Sequence, residues 1–345
     1  MQHKLLLGST ALVSAGLLMS GGAQAQETMR VGGIEVVLGG YTEFGVKAAT
    51  EDTLTNSSNN RNYLFYMDNE VFISANGATE SGILYGSHIE LEVGSGDGNT
   101  DNAFVDEVGL YFSGNFGRVE LGKEDAANDV MGIGAADAQA GTGGIDGDTA
   151  NLVQFESLDD GDSTKATYFT PRIAGFQLGA SFTPDNGNGI NDDQAGSQEN
   201  IVSMGANWVG ALGPMDLIVA GTGAIGDGMD NTDDLGTWDA GVLLGFGGFS
   251  VGANVFQNTD FAESKGVAAG IKYGFGAANV SAGWVLDDPD GGDTANLIVL
   301  SGDVGVLPGV TLKADGSYNS EDPGADDDGD TDDTFAGVVS IQLDY

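Results

Sequence analysis

The sequence predicts an all-β fold, a closed barrel of sixteen antiparallel strands that crosses a membrane. Apolar and polar residues alternate along sixteen segments, which is the two-residue period of a strand with one apolar face. Short turns and long polar loops alternate between these segments, so the two ends of the sheet differ. Aromatic residues of the apolar faces fall near both strand ends, and a bilayer selects two such belts on a barrel.

Alternation also locates the individual strands. In the fifteenth segment, Leu312 and Tyr318 share one face and Lys313 lies on the other. Two stretches, 62–76 and 149–157, are poorly patterned, so totals of 14 or 18 strands stay open. The sixteen candidate strands are 34–47, 62–76, 83–93, 103–113, 117–124, 164–170, 175–183, 200–209, 215–226, 237–246, 249–258, 265–275, 279–287, 294–305, 310–320 and 334–345.

The connections indicate how the sheet ends. An open edge in hydrocarbon leaves backbone groups unpaired at several kcal/mol each, so a membrane sheet must close. We expect strand 334–345 to pair with 34–47, and Tyr345 to anchor in the interface on the side of the short turns. A soluble secreted β-sandwich or solenoid also has alternating strands, but its apolar face would point inward.

The longer connections lie at one end of the predicted sheet. There are eight of them, at 48–61, 94–102, 125–163, 184–199, 227–236, 259–264, 288–293 and 321–333.

Residues 1–25 predict a secretory signal peptide. They have a basic start, a short apolar middle and a small-residue end at 23–25, so cleavage is expected before Gln26. Residues 26–345 are then expected to form a single barrel domain. No later stretch holds the roughly 18 consecutive apolar residues of a membrane-spanning helix.

Charge and composition narrow the function classes. The chain has 52 acidic and 11 basic residues, a formal net charge of −41. Such a chain repels nucleic acid and attracts cations. It has no cysteine, and His88 is the only histidine after residue 25, so zinc and thiol chemistry have little to work with. We expect no enzymatic activity and no required cofactor.

One stretch carries a family resemblance. The sequence NFGRVELGKEDAANDVMG, residues 115–132, resembles the fifth strand of a general porin where it runs into the third loop, with Lys123 where many members carry Arg. With the strand count, the loop lengths and an aromatic last residue, the chain is similar from residue 26 onward to the sixteen-stranded general porins of Gram-negative outer membranes. Members usually end in Phe, so Tyr345 departs from the pattern.

The resemblance implies a particular arrangement and activity. The long third loop, about 125–163, would fold into the lumen as a constriction. The protein would lie in the outer membrane as a homotrimer, in contact with outer-membrane lipid and lipopolysaccharide. Small ions and hydrophilic solutes would diffuse through it passively. A substrate-specific barrel channel and an acidic, Ca²⁺-dependent surface or structural protein are the alternatives.

Charged residues suggest where the constriction lies. Nine acids and no Lys or Arg fall between positions 125 and 163, and acids facing wall bases would set up a transverse field, as the resemblance implies. Arg118 and Lys123 have opposite strand parity, so without a bulge they cannot both face the lumen. The acidic excess predicts cation selectivity that weakens at high salt. The candidate loop acids are Asp125, Asp129, Asp137, Asp146 and Asp148, and the candidate wall bases are Lys47, Arg61, Arg118, Lys123 and Lys313.

A second acidic loop offers a candidate metal site. Asp326, Asp328 and Asp330 are spaced by two in the stretch 321–333 and could wrap a Ca²⁺ ion with backbone carbonyls. The full twelve-residue calcium loop, with a Glu at its end, is absent. Diffuse divalent binding and plain solvation therefore stay open beside a specific Ca²⁺ site.

Overall fold

A computed structural model describes the chain at residues 27–31, 33–50, 62–93, 104–148, 153–187, 197–229, 232–260, 263–290, 294–322 and 333–345. The expected signal peptide, 1–25, lies outside the described residues, as do Arg61 and the candidate calcium ligands Asp326, Asp328 and Asp330. Of the helices in the described ranges, none is both long and apolar enough to cross a membrane.

The described chain is almost entirely β-sheet, with one short α-helix, α1 (Ala127–Met131), and two 3-10 helices, Ala136–Ala138 and Gly144–Asp146. The strands are β1 (Glu27–Val31), β2 (Ile34–Ala49), β3 (Tyr63–Ala78), β4 (Leu84–Val93), β5 (Phe104–Gly114), β6 (Gly117–Glu124), β7 (Ser163–Phe169), β8 (Phe176–Asp185), β9 (Gln198–Leu212), β10 (Met215–Gly228), β11 (Leu235–Phe246), β12 (Phe249–Asp260), β13 (Ser264–Phe275), β14 (Ala278–Pro289), β15 (Thr294–Leu307), β16 (Val310–Asp322) and β17 (Asp333–Asp344).

Sixteen of these strands, β2 to β17, form the closed barrel. Each pairs antiparallel with its sequence neighbour, and β17 pairs with β2 from Tyr41↔Asp344 to Ala49↔Ala336. Reciprocal backbone hydrogen bonds of 2.9 and 3.0 Å between Gly40 and Tyr345 complete the seam. The predicted closure and the strand count of sixteen are confirmed, and the totals of 14 or 18 are wrong.

One strand was not predicted. β1 pairs with Ile34–Leu38 of β2, with Val31 opposite Ile34. The other edge of β2 is occupied by β3, so β1 must lie on the edge that β17 uses. It therefore extends the seam past the point where Tyr345 ends the last strand.

The two faces of the sheet differ as the alternation predicts. Leu178, Leu300 and Val339 are exposed on the outside, whereas Lys313 and Asp315 are buried on the inside. Aromatic pairs stack on the exposed face, among them Phe249 and Tyr273 with ring centroids 4.4 Å apart. The outer surface is thus an apolar band with aromatic residues, which suits a bilayer.

The interior is not uniformly polar, and its largest apolar patch lies on β13 to β15. Ala268, Val285, Leu297 and Val299 are buried, inward-facing residues of β13 to β15. They pack against Ile145, which belongs to the long connection between β6 and β7. This connection covers the apolar patch, which explains why apolar residues face inward there.

Candidate functional site

The long connection between β6 and β7, residues 125–162, is called L3 below. Its described parts, 125–148 and 153–162, lie along the inner wall. Short helical turns pair some of the backbone N–H groups within L3, and others need partners elsewhere. Those partners are side chains on inward-facing strand positions. The N–H groups of Ala127, Ala135, Ala140, Thr142 and Leu158 donate to Ser181 Oγ (2.7 Å), Asn254 Oδ1 (3.0 Å), Ser281 Oγ (2.9 Å), Asp315 Oδ2 (3.0 Å) and Asn258 Oδ1 (2.8 Å).

Wall glycines let the L3 backbone approach closely. A Cβ added at Gly241 would collide with the carbonyl oxygen of Ile133, and one at Gly252 with that of Gly134. Both glycines lie mid-strand, where glycine normally weakens a sheet. Here the absence of a side chain lets the L3 backbone lie directly against β11 and β12.

The turn of L3 meets the wall through an ionic network. Lys47 Nζ lies 2.5 Å from Asp148 Oδ1 and 4.5 Å from the centroid of the Tyr66 ring. The Tyr66 hydroxyl lies 2.7 Å from Asp148 Oδ2 and 2.9 Å from Glu43 Oε1. Glu43 also accepts a 2.7 Å hydrogen bond from Lys313 Nζ. The structure therefore brings together three of the candidate residues, namely Lys47, Asp148 and Lys313.

Two further candidate bases lie elsewhere in the barrel. Arg118, beside the short turn that opens β6, pairs with Glu120, and its guanidinium carbon lies 4.1 Å from the Tyr111 ring centroid. Lys123, at the other end of β6, donates to the backbone carbonyl of Asp106 and lies 3.9 Å from Asp162. Both side chains are buried, but neither meets Asp148.

The remaining candidate acids have local partners. Asp137 accepts the Gly134 N–H at 2.8 Å, and Asp129 belongs to α1. Asp125 follows β6, and desolvation inside the barrel, with repulsion from Asp129, raises its pKa well above the ordinary value. Asp146 ends the second 3-10 helix, two residues before Asp148.

Sequence reasoning missed several contacts that hold L3. Asp315 accepts from both the backbone and the hydroxyl of Thr142, and Asp303 Oδ2 accepts the Gly141 N–H at 3.1 Å. At the return of L3, Lys165 Nζ lies 2.9 Å from Asp160 Oδ1 with both side chains buried. Strand parity places Asp315 inside, but nothing in the sequence indicates that L3 backbone groups reach it.

Acid exceeds base inside the barrel. Among the residues that the structure describes, ten Asp or Glu side chains are buried against five Lys or Arg side chains. Each of those five bases contacts an acid: Asp148 for Lys47, Glu120 for Arg118, Asp162 for Lys123, Asp160 for Lys165 and Glu43 for Lys313. Among the described residues, the buried charged side chains are therefore predominantly acidic.

One sequence pattern resembles a hydrolase motif without its context. Residues 248–252 read G-F-S-V-G, which matches the G-x-S-x-G of a nucleophile elbow. That motif needs a sharp turn from a strand into a helix. Ser250 instead lies within β12, directly after a hairpin turn, and pairs with Lys272 of β13. The pattern gives no support for hydrolysis.

A closed sixteen-stranded barrel with an apolar exterior, a polar interior and a long inner segment defines an outer-membrane diffusion channel. The comparisons with known proteins agree. A family model described as Gram-negative porin matches residues 8–338, and the chain belongs to that family. The protein is accordingly located in the outer membrane.

Solved porin structures share the fold at low sequence identity. A variant of Rhodopseudomonas blastica porin is 20% identical, with a TM-score of 0.62 over 90% of this chain and 100% of that one. An anion-selective porin from Comamonas acidovorans is 16% identical, with a TM-score of 0.66 over the same shares of the two chains. A search of curated proteins gives no match.

Proposed function

We propose that this porin is a cation-selective channel for passive diffusion of ions and small hydrophilic solutes, with L3 as the constriction. The observation that carries the proposal is the surplus of buried carboxylates over buried bases, each base being already in contact with an acid. Permeant cations meet an excess of carboxylates, which raises their local concentration. No covalent step is involved.

L3 contacts the β2–β3–β16 side of the wall, and the constriction lies beside this contact. There Lys47 and Lys313 face Asp148, Glu43 and Asp315, so a transverse field crosses the space beside L3. Rings and rows of such charges set pore selectivity through local electrostatics. The similarity to an anion-selective porin from Comamonas acidovorans indicates that the fold leaves the sign of selectivity to these residues.

Recording in a planar bilayer across a KCl gradient tests the proposal. Stepwise conductance with a reversal potential of the sign expected for a K⁺-selective pore supports the proposal. Conductance with a reversal potential for Cl⁻ keeps the channel and refutes cation selectivity. Folded protein without conductance refutes the diffusion function. If one solute blocks the current in a saturable way, the protein is instead a substrate-specific channel.

We also propose that the functional unit is a homotrimer, processed before Gln26 and active without a cofactor. The mass of the complex in detergent, with detergent subtracted, tests the trimer, and the intact mass of the purified chain tests the cleavage site. Calcium binding at Asp326, Asp328 and Asp330 stays a separate proposal. Replacing all three by Asn should remove one Ca²⁺ per chain in equilibrium dialysis, and an unchanged stoichiometry would reject the site.

A further inference from the structure

We propose that His88, Glu107 and Glu124 form a binding site for a divalent transition-metal ion of the Zn²⁺ class. The three residues lie on adjacent strands β4, β5 and β6, and all are buried, with exposed fractions of 8%, 3% and 4%. Their ligand atoms lie within 4.8 Å of one another. The site is separate from the Lys47 network and does not depend on ion selectivity.

The strands bring the three side chains together for local reasons. A bulge between β4 and β5 sets Ile89 opposite Val108 but Leu91 opposite Val105, so β5 has one extra residue there. Glu107 belongs to this bulge. Gly109, opposite His88, has no side chain, and a Cβ there would collide with the Glu124 carboxylate.

The distances suit one shared ion. His88 Nε2 lies 3.1 Å from Glu124 Oε2 and 3.5 Å from Glu107 Oε2. Two ligand atoms bound about 2.1 Å from one ion at tetrahedral or octahedral angles lie about 3.0–3.4 Å apart. A metal between the three atoms would therefore need only small side-chain shifts.

The close contacts of His88 with Glu107 and Glu124 still leave two buried polar atoms without a well-formed hydrogen bond. Among the residues that the structure describes, neither His88 Nε2 nor Glu107 Oε2 has a hydrogen bond, although both atoms are buried. A buried polar atom without a partner costs about 1–3 kcal/mol, more when it is charged. The nearest lysine, Lys123, donates instead to the Asp106 carbonyl. An ion with three coordination bonds satisfies these atoms together.

The donor set selects the class of metal. One imidazole nitrogen with two carboxylate oxygens suits Zn²⁺ and neighbouring transition metals, whereas Ca²⁺ and Mg²⁺ prefer oxygen ligands alone. Glu107 also lies within 4.8 Å of Asp125 and Asp162 of L3, whose negative charge favours a cation nearby. A bound ion would fix the root of L3 to β4 and β5.

Zn²⁺ titration tests the site. We would use untagged, folded mature protein in detergent, beginning at Gln26 so that His88 is the single histidine, and excess Ca²⁺ to occupy oxygen-only sites. One Zn²⁺ per chain is expected. His88→Gln and Glu107→Gln should each weaken binding about tenfold or more. The matched control is Glu80→Gln, an exposed acid in the turn before β4, which should leave binding unchanged.

Electron paramagnetic resonance of bound Cu²⁺ gives a second measurement that needs no variant of the two acids. Hyperfine splitting from one imidazole nitrogen is expected, and it should disappear in His88→Gln. Folding of each variant is checked by circular dichroism. Three results would overturn the proposal: Zn²⁺ binding that His88→Gln does not change, binding that Ca²⁺ abolishes, or no binding to folded protein.

Discussion

Replacing Ile145 by Ala should loosen L3 without weakening the barrel. Ile145 has an exposed fraction of 0% and packs on Ala268, Val285, Leu297 and Val299 of the inner wall. The change removes three carbon groups, each worth about 0.8 kcal/mol when buried. A cavity adds to this loss, and the total falls at about 3 kcal/mol, within the range of about 2–5 kcal/mol for such substitutions.

That free energy should appear in the local opening of L3. Because tenfold corresponds to about 1.4 kcal/mol, amide hydrogen exchange in L3 should accelerate about 100-fold if it occurs through opening of the loop. The ladder from β2 to β17 keeps every hydrogen bond, so exchange in the strands and the heat resistance of the barrel should not change. Exchange is measured by mass spectrometry of peptides from protein in detergent.

The matched control is Ile225→Ala. Ile225 lies in β10 with an exposed fraction of 67% on the outer face, so its truncation touches no L3 contact and should leave L3 exchange at the wild-type rate. L3 exchange that is the same in Ile145→Ala and wild type would refute the packing argument. Equal acceleration in strands and L3 would show instead that the two unfold as one unit.

Three more perturbations test the electrostatics and the docking of L3. Lys47→Gln should strengthen cation preference in a KCl gradient, because Asp148 loses the base that it pairs with. The difference from wild type should vanish near 1 M salt, where the Debye length is about 3 Å. A shift of the reversal potential toward that of Cl⁻ would contradict the assignment. Gly241→Val should displace L3 from the wall and change single-channel conductance, and an unchanged conductance would reject the close contact with Ile133. Desolvation, together with repulsion from Asp129, raises the pKa of Asp159 to about 6, so cation preference should fall as the pH drops from 7 to 5 and this carboxylate is protonated; a constant reversal potential would exclude its influence. The effect on stability has the opposite sign: the cost of keeping Asp159 charged is present above pH 6 and fades as the pH falls, so acidification should stabilise the folded protein.

Strands could be predicted because their signal is local. In β16, Lys313 and Asp315 fall on one parity and Leu312 on the other, and the structure places them inside and outside accordingly. Closure followed from the cost of an open edge in lipid. β1 was not predicted because Glu27–Val31 has only five residues, which is too few for an alternating pattern to be recognised.

The candidate site was harder to predict because its contacts join distant positions. Lys47 and Asp148 meet only because L3 runs along the inner wall past β8, β12, β14 and β16 to β2, and no spacing in the sequence records that path. Leu297 and Val299 share a continuous apolar run with Ile298, so their pattern does not separate an inner apolar patch from the lipid-facing side. The inward apolar residues are explained only by their packing against Ile145, which the structure shows.

The acids of the wall have two roles that can be separated in principle. Asp315 and Asp287 accept backbone N–H groups of Thr142 and Gln154, so the carboxylates that make the lumen negative also hold L3 in place. A neutral amide oxygen could accept the same bonds, so docking alone does not require charge at these positions. Carboxylates at these positions therefore tie the position of L3 to the charge that a permeating ion meets.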